Sequence, residues 1–536
     1  MHFLSRVPLD ELRRLVVRLS GTVTANRASD LERPEVYACL DSLFGTDVLR
    51  EYEVRLCVIG HLESELVEKL IPLVEGADGL SRADVDILLA SQQWGRAGRV
   101  ENCLRRVLQI PSAYADPAPE RLPSRFTVRE FHPLPALFDF QEELAVGAGE
   151  MLIGGSSCLV HLPTGAGKTR TAARVVVDHI LRCETNSQPR GVLWLAHSQE
   201  LCEQAVNAFA QCWENWGAGP HEVGRAWGSY SAQGDVITHG FTVASYRKAL
   251  NQLLGERGEP VAALEGVSLV VVDEAHFAGA LQLRGFLQKL LEDGSRQLLG
   301  LTATPLRTAD LPETGNTLTD LFDGNLVQAD SLGPRPIQEL QRRGILSAVQ
   351  RVPVEGDQGR TTSPSLDAGV PYEWKDYGGR FLRILAEDGA RNNAICDLVV
   401  GLVAEGHRVL CFCCSVEHAQ HLALECTIRG CPSAFVDYRQ RKSRRLEVVD
   451  NYSCGRTSAL FNFGVLATGF DVPSVDSIVI ARPTKSRILY SQMIGRGVRG
   501  SAVGGTPLCK VYDVDENLNR FAGLEELFGS FSASWK

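Results

Sequence analysis

His161-Leu162-Pro163-Thr164-Gly165-Ala166-Gly167-Lys168-Thr169-Arg170 (HLPTGAGKTR) stands between an apolar run ending in CLVHL and a helical stretch, TRTAARVVVDHIL, and its reading decides the fold. Gly165 and Gly167 let backbone N–H groups curve round a phosphate, and the N-terminus of the following helix favours negative charge. In that reading Lys168 reaches the β- and γ-phosphates and the Thr169 hydroxyl holds Mg²⁺. The strict phosphate-loop pattern has glycine where Leu162 stands, so the shorter Pro163-to-Thr169 form rests on its context of strand, loop and helix. The bland alternative is a glycine-rich turn before a helix.

Working outward, short apolar runs alternate with helical stretches: GVLWLAH, a helix through Phe209, SLVVVDEAH and QLLGLTATP. Buried strands separated by helices predict a parallel, doubly wound sheet. The pattern breaks after about residue 330, and a second series follows with RVLCFCC, SAFVDY, SALFNFG and SIVIARP. Residues 1–112 read instead as helical, with Leu9, Leu12, Leu15 and Val16, then Leu62, Leu66, Leu70 and Leu73, at helical spacing. The expected division is a helical accessory domain (1–112), a Pro- and Ala-rich linker (113–125) and two α/β domains (126–330 and 331–536). Glu355 to Gly379 reads as a surface insertion.

Three further clusters carry chemistry. Asp273 and Glu274 follow four apolar residues, which puts both acids at a strand's C-terminal end, where doubly wound sheets bind ligands. Asp273 can hold Mg²⁺ through water and Glu274 can polarise an attacking water, so Thr169, Asp273 and Glu274 are the candidate magnesium residues. Standing alone, such a pair more often caps a helix. GLTATPLR, Gly300 to Arg307, ends a strand with Thr302 and Thr304, which read alone as hydroxyl caps. In LYSQMIGRGVRG the residues Gln492, Arg496 and Arg499 fall at i, i+4 and i+7, predicting one shared helix face. Planar guanidiniums there suit a developing phosphoryl charge, whereas a solvated basic helix is the alternative.

Taken in order, these pieces resemble the superfamily 2 helicases and translocases of DEAD/DEAH type, and within them the bacterial repair helicases and restriction-enzyme motor subunits. The resemblance covers roughly residues 130–515. It implies two tandem RecA-like domains that bind ATP and Mg²⁺ between them, here with an N-terminal all-α domain. It implies that Gln141 in LFDFQEELA reads adenine, that Pro163 to Thr169 cradle the phosphates, and that Arg496 and Arg499 act as arginine fingers. His276, Thr302 and Thr304 look like coupling residues. Within LFNFGVLATGFDVPSVDSIVIARPTKS, Thr468, Gly469, Phe470 and Asp471 look like a link between nucleotide and nucleic acid. Trp194–Ala205 and Phe241–Leu250 resemble strand-contacting motifs, although Ser198 and Ser245 replace the usual residues.

Composition narrows the partners. The formal net charge is −10, so a nucleic-acid site must be a local groove rather than the bulk surface. The densest basic run, Arg439, Arg441, Lys442, Arg444 and Arg445, reads equally as a phosphate contact or as a solvated helix face. No apolar run is long enough to span a bilayer, and the opening MHFLSRVPLDELRRL argues against a secretory signal, so no membrane and a cytoplasmic location are expected. The fifteen cysteines read as reduced and mostly buried. Glu373-Trp374-Lys375 with Asp367 faintly resembles a nuclease signature but lies in the insertion. The expected function is an ATP-driven helicase or translocase, on DNA rather than RNA, with a protein partner at the helical domain. The second reading is a nucleic-acid-sensing ATPase subunit of a restriction or antiviral complex.

Overall fold

A computed structural model describes residues 1–20, 29–77, 79–92, 94, 98–111, 114, 122–129, 134–231, 234–253, 262–279, 281–303, 317–354, 376–465 and 475–514. Thr304, Thr468, Gly469, Phe470, Asp471 and the Asp367 to Lys375 segment therefore lie outside the described residues.

The first sheet contains β1 (Arg125–Val128), β2 (Cys158–His161), β3 (Gly191–Ala196), β4 (His221–Ala226), β5 (Phe241–Ser245), β6 (Val267–Val272), β7 (Gln297–Thr302) and β8 (Leu326–Val327). Their order is β1-β4-β5-β3-β6-β7-β2-β8. Every pairing is parallel except β1 with β4. The apolar runs are continuous because the sheet is covered on both faces; β2 and β3 are buried at every residue.

The second sheet contains β9 (Ala348–Pro353), β10 (Val409–Phe412), β11 (Ser433–Asp437), β12 (Ala459–Phe463), β13 (Ser477–Ile480) and β14 (Leu508–Asp513). Its order is β11-β12-β10-β13-β14-β9, parallel throughout. One apolar cluster runs from the first sheet through Ile337, Leu340 and Leu346 to Met493, Val498 and Ile478 of the second unit.

The N-terminal region is helical, and it docks on the second unit rather than the first. Leu15, Val16, Leu40 and Leu43 share an apolar cluster with Leu422, Ala423 and Cys426. The basic run completes this contact. Arg441 pairs with Asp47, while the buried Arg444 donates to the Asp41 carbonyl (3.1 Å) and meets Glu447 (3.1 Å). Thr46 Oγ1 donates to Glu447 in turn (2.7 Å). Arg439 pairs with Glu417 (2.7 Å), and Arg445 reaches across to Glu200 of the first unit (2.7 Å). These arginines thus serve contacts within the chain, which neither reading of the run anticipates.

All fifteen cysteines are free, and most are buried. Cys411, in β10, and Cys413, just beyond its end, hold their sulfurs 4.0 Å apart, while Cys414 turns away to the Ala481 carbonyl. No helix among the described residues is long and apolar enough to cross a membrane.

Candidate functional site

The strand order assembles the site. β2, which leads into the phosphate loop, and β6, which leads into the acids, both flank β7. Parallel pairing brings the C-terminal ends of all three to one edge, so Lys168, Asp273 and Thr302 arrive together although far apart in sequence. Leu162 N donates to the Thr302 carbonyl (3.2 Å), and His161 Nε2 lies 3.2 Å from the Ala303 carbonyl, fixing the loop's base to β7.

Within the loop Gly165 and Gly167 both have φ of +89°. This left-handed backbone is accessible to glycine at little cost and turns successive N–H groups inward. Lys168 opens the helix Lys168–Thr185 and is buried. Gln141 sits in the first turn of the helix Asp139–Ile153. Its Oε1 accepts from Phe138 N (3.1 Å) and its Nε2 donates to the Ala166 carbonyl (2.9 Å), so its amide braces the loop from behind.

Asp273 follows β6, and its Oδ1 accepts from Glu274 N (2.9 Å) while Oδ2 is buried without a hydrogen-bond partner. Glu274 has φ of +48°, an uncommon conformation for a residue with a side chain. The electrostatics are those of a charge cluster kept from water. Burial and the adjacent Glu274 push Asp273 up to about 7, with Lys168 opposing. Burial also pushes Glu274 up, but Lys168, His276, Arg496 and His197 together hold its carboxyl below the usual range. Burial lowers Lys168 despite Glu274 and Asp273. His276 is pushed by burial down to about 4, with Glu274 opposing, and lies 3.5 Å from Glu274 Oε2.

The second unit closes over this edge. A β-carbon on Gly165 would lie 3.2 Å from Leu346 Cδ2 and 3.7 Å from the Val498 carbonyl, so the loop lies directly beneath that unit. Burial brings Arg496 down to about 10, with Glu274 pulling it back up. Arg496 therefore lies within reach of the charges on Lys168 and Glu274.

One expectation fails here. Gln492, Arg496 and Arg499 do not share a helix face, because the helix Arg487–Ile494 stops at Gly495. Gly495 and Gly497 weaken the helix. Arg499 instead forms a β-bridge with Leu346, its carbonyl accepting from Ser347 Oγ (2.6 Å). Burial alone governs its lowering to about 10. Gln492 is buried near the helix end, and its Nε2 lacks a hydrogen-bond partner.

Sequence reasoning passed over two residues. Tyr246, just after β5, is buried and donates its hydroxyl to the Asp273 carbonyl. His197, just after β3, packs tilted against Phe277 with ring centroids 4.8 Å apart and interacts with the charge of Glu274. Both fall within segments quoted for strand contact, so the signal was present but read for another role. Ser198 and Ser245 cap helices, accepting from Leu201 N (3.2 Å) and Lys248 N (3.3 Å).

Comparison with known proteins agrees with this assembly. Residues 137–307 match the family described as type III restriction enzyme, res subunit, and residues 390–501 match the helicase conserved C-terminal domain. The chain is 26% identical over 347 residues to a 51.5 kDa protein of a Lactococcus phage, covering 64% of this chain and 62% of that one. It is 27% identical over 406 residues to the type I restriction enzyme EcoKI endonuclease subunit of Escherichia coli, covering 67% and 33%. With the putative ATP-dependent helicase IRC3 of Saccharomyces cerevisiae the identity is 24%, covering 69% and 50%. The matches thus span between about a third and three-fifths of these relatives' own lengths. Two family matches in this order, on two parallel α/β units, are the pairing of the helicases and translocases of superfamily 2. The chain carries both of these domains and is related to restriction-enzyme motor subunits.

Proposed function

We propose that this chain is an ATP-driven motor on nucleic acid, DNA in preference to RNA, whose hydrolytic pocket is completed only when its two RecA-like domains meet. The observation that carries the proposal is the close approach of Gly495, next to the buried Arg496 in the second unit, to Thr164 of the phosphate loop, with Arg496 in charge interaction with Lys168 and Glu274. We assign the domains as 1–112, 126–330 and 331–536, which the ranges of the two sheets support.

ATP takes its phosphates to the loop Pro163–Thr169, where inward N–H groups and Lys168 meet the β- and γ-phosphates. The buried, unpartnered Asp273 Oδ2 and the half-buried Thr169 suit a hydrated divalent cation. Thr169, Asp273 and Glu274 would hold Mg²⁺, which supplies positive charge against the phosphate oxygens. Glu274, kept ionised by its cationic neighbours, orients the attacking water and accepts its proton. Arg496 and Arg499, arginine fingers by the family resemblance, compensate charge developing on the transferred phosphoryl group, with Gln492 beside them. Gln141 lies on the adenine side and braces the loop. From the family resemblance, His276, Thr302 and Thr304 are assigned to coupling, and Gly469 and Asp471 to nucleotide binding.

Nucleic acid would cross the segments after β3 and β5. These strands are neighbours, so both segments open at one edge of the sheet. Binding there is chiefly to phosphates, so sequence preference should be slight. Closure on ATP and opening after hydrolysis would shift one unit's grip relative to the other.

ATP hydrolysis with single-stranded DNA, duplex DNA and RNA tests the reading. Stimulation by DNA above RNA is expected, and no stimulation by any polynucleotide would remove the motor. The relative that is a restriction-enzyme endonuclease subunit favours a second reading, a subunit that senses nucleic acid and switches a partner. Strand displacement beside triplex displacement separates unwinding from translocation, and neither activity with retained stimulation would favour the switch.

A further inference from the structure

Glu11, Cys57 and His61 form a separate cluster on the N-terminal helical region. Glu11 lies in the first turn of the helix Leu9–Ser20, Cys57 lies in the helix Tyr52–Gly60, and His61 caps that helix. Carboxylate oxygen, thiol sulfur and imidazole nitrogen all lie within 4.8 Å of one another, and all three residues are half-buried.

The hydrogen bonding orients the donors. His61 Nδ1 lies 2.9 Å from the Cys57 carbonyl, which can only accept, so Nδ1 carries a proton. In the neutral ring the Nε2 lone pair then points outward, and Nε2 lies 3.3 Å from Glu11 Oε2. At that distance a protonated ring forms an ion pair with the carboxylate, whereas a neutral ring and the carboxylate present two acceptors to a shared metal ion. The Cys57 sulfur lies 4.0 Å from the same Oε2, adding a third ligand atom on that side. The other carboxylate oxygen is directed towards Arg14 (3.9 Å), which leaves Oε2 for the cluster. A hydrogen bond from the far ring nitrogen to a backbone carbonyl is the usual arrangement that orients a metal-binding histidine.

We propose that Glu11, Cys57 and His61 bind a first-row divalent transition cation, Zn²⁺ by the softness of the set, with water in the fourth position. Mixed sulfur, nitrogen and oxygen donors favour zinc over magnesium or calcium, and three protein ligands at a half-exposed position leave room for water. Binding displaces the thiol proton to solvent. The ion would pin the first helix to the helix carrying Cys57, across the region that docks on the second unit.

The test uses the full-length chain purified without an affinity tag, stripped with a chelator and titrated with Co²⁺. The expected result is a stoichiometric thiolate-to-cobalt absorption band, together with a rise in the thermal midpoint on adding Zn²⁺. Both should be lost in Cys57→Ser and in His61→Asn, with the fold of each variant checked by circular dichroism. Glu11→Gln, at a position more exposed than His61, should keep the fold and weaken the titration, so the inference stays testable if a helix variant does not fold. No band in the wild type, a band unchanged in all three variants, or no thermal response to Zn²⁺ would overturn the proposal in favour of a protonated His61–Glu11 ion pair.

Discussion

Gly495, which ends the helix before Arg496, lies against Thr164 of the phosphate loop: a β-carbon on Gly495 would fall 2.6 Å from Thr164 Cγ2. No ordinary side chain fits at that distance, so the bare backbone at 495 lets the two units close. The glycine that weakens the helix is the same residue that admits the loop.

Gly495→Val should therefore leave nucleotide binding by the loop largely intact while cutting turnover about tenfold or more, the equivalent of about 1.4 kcal/mol in the barrier. Equilibrium binding of a nucleotide analogue beside steady-state hydrolysis separates the two. Wild-type turnover would show that closure at this contact is dispensable.

Lys168 and Glu274 should fail differently. Lys168→Ala removes the cation that both acids face and should abolish turnover with weakened nucleotide binding. Glu274→Gln keeps the shape and removes the base, so binding should persist while hydrolysis falls about 10²–10⁴-fold. Normal hydrolysis by Glu274→Gln would reassign the carboxylate.

The docking of the helical region depends on Arg444. Arg444→Ala removes a buried guanidinium's hydrogen bonds to the Asp41 and Ser42 carbonyls and its pair with Glu447, which should cost about 1–3 kcal/mol in urea unfolding. An effect below about 0.5 kcal/mol would put this contact in the range of ordinary surface pairs.

Acid should destabilise the fold through buried neutral histidines. His418 accepts from Cys414 N (3.1 Å), lies 3.0 Å from Asn392 Oδ1, and is pushed by burial down to about 3. His179 and His221 are pushed down to about 4 for the same reason. The unfolded chain takes up these protons near the ordinary histidine value of about 6.5, so stability is full above that pH and falls as pH drops towards the folded values. Unfolding midpoints should be flat above pH ~7 and decline below ~6.5, and His418→Gln should remove about one proton from that dependence. A slope unchanged by the substitution would contradict the assignment.

What the sequence made legible follows from how local each signal is. The phosphate loop and the acids after β6 are short segments whose chemistry is written in adjacent residues, and both lie where expected. Continuous apolar runs announced β2, β3, β6 and β10. His221–Ala226 did not read as a strand because Glu222 and Arg225 interrupt its apolar run. Those side chains are spent on Arg125 and Glu203, at the edge of the sheet. The helix end at Ile494 was hidden because spacing alone cannot show that Gly495 must meet Thr164. The basic run misled because its partners, Asp41, Asp47 and Glu200, lie hundreds of residues upstream.

The central claim is a pocket completed from both units, and Arg496→Ala tests it most directly in a single-turnover measurement on prebound ATP with saturating DNA. The account predicts near-normal nucleotide occupancy with hydrolysis slowed by about 10³-fold or more, the scale of a lost arginine finger. Hydrolysis at the wild-type rate from the same bound nucleotide would contradict it.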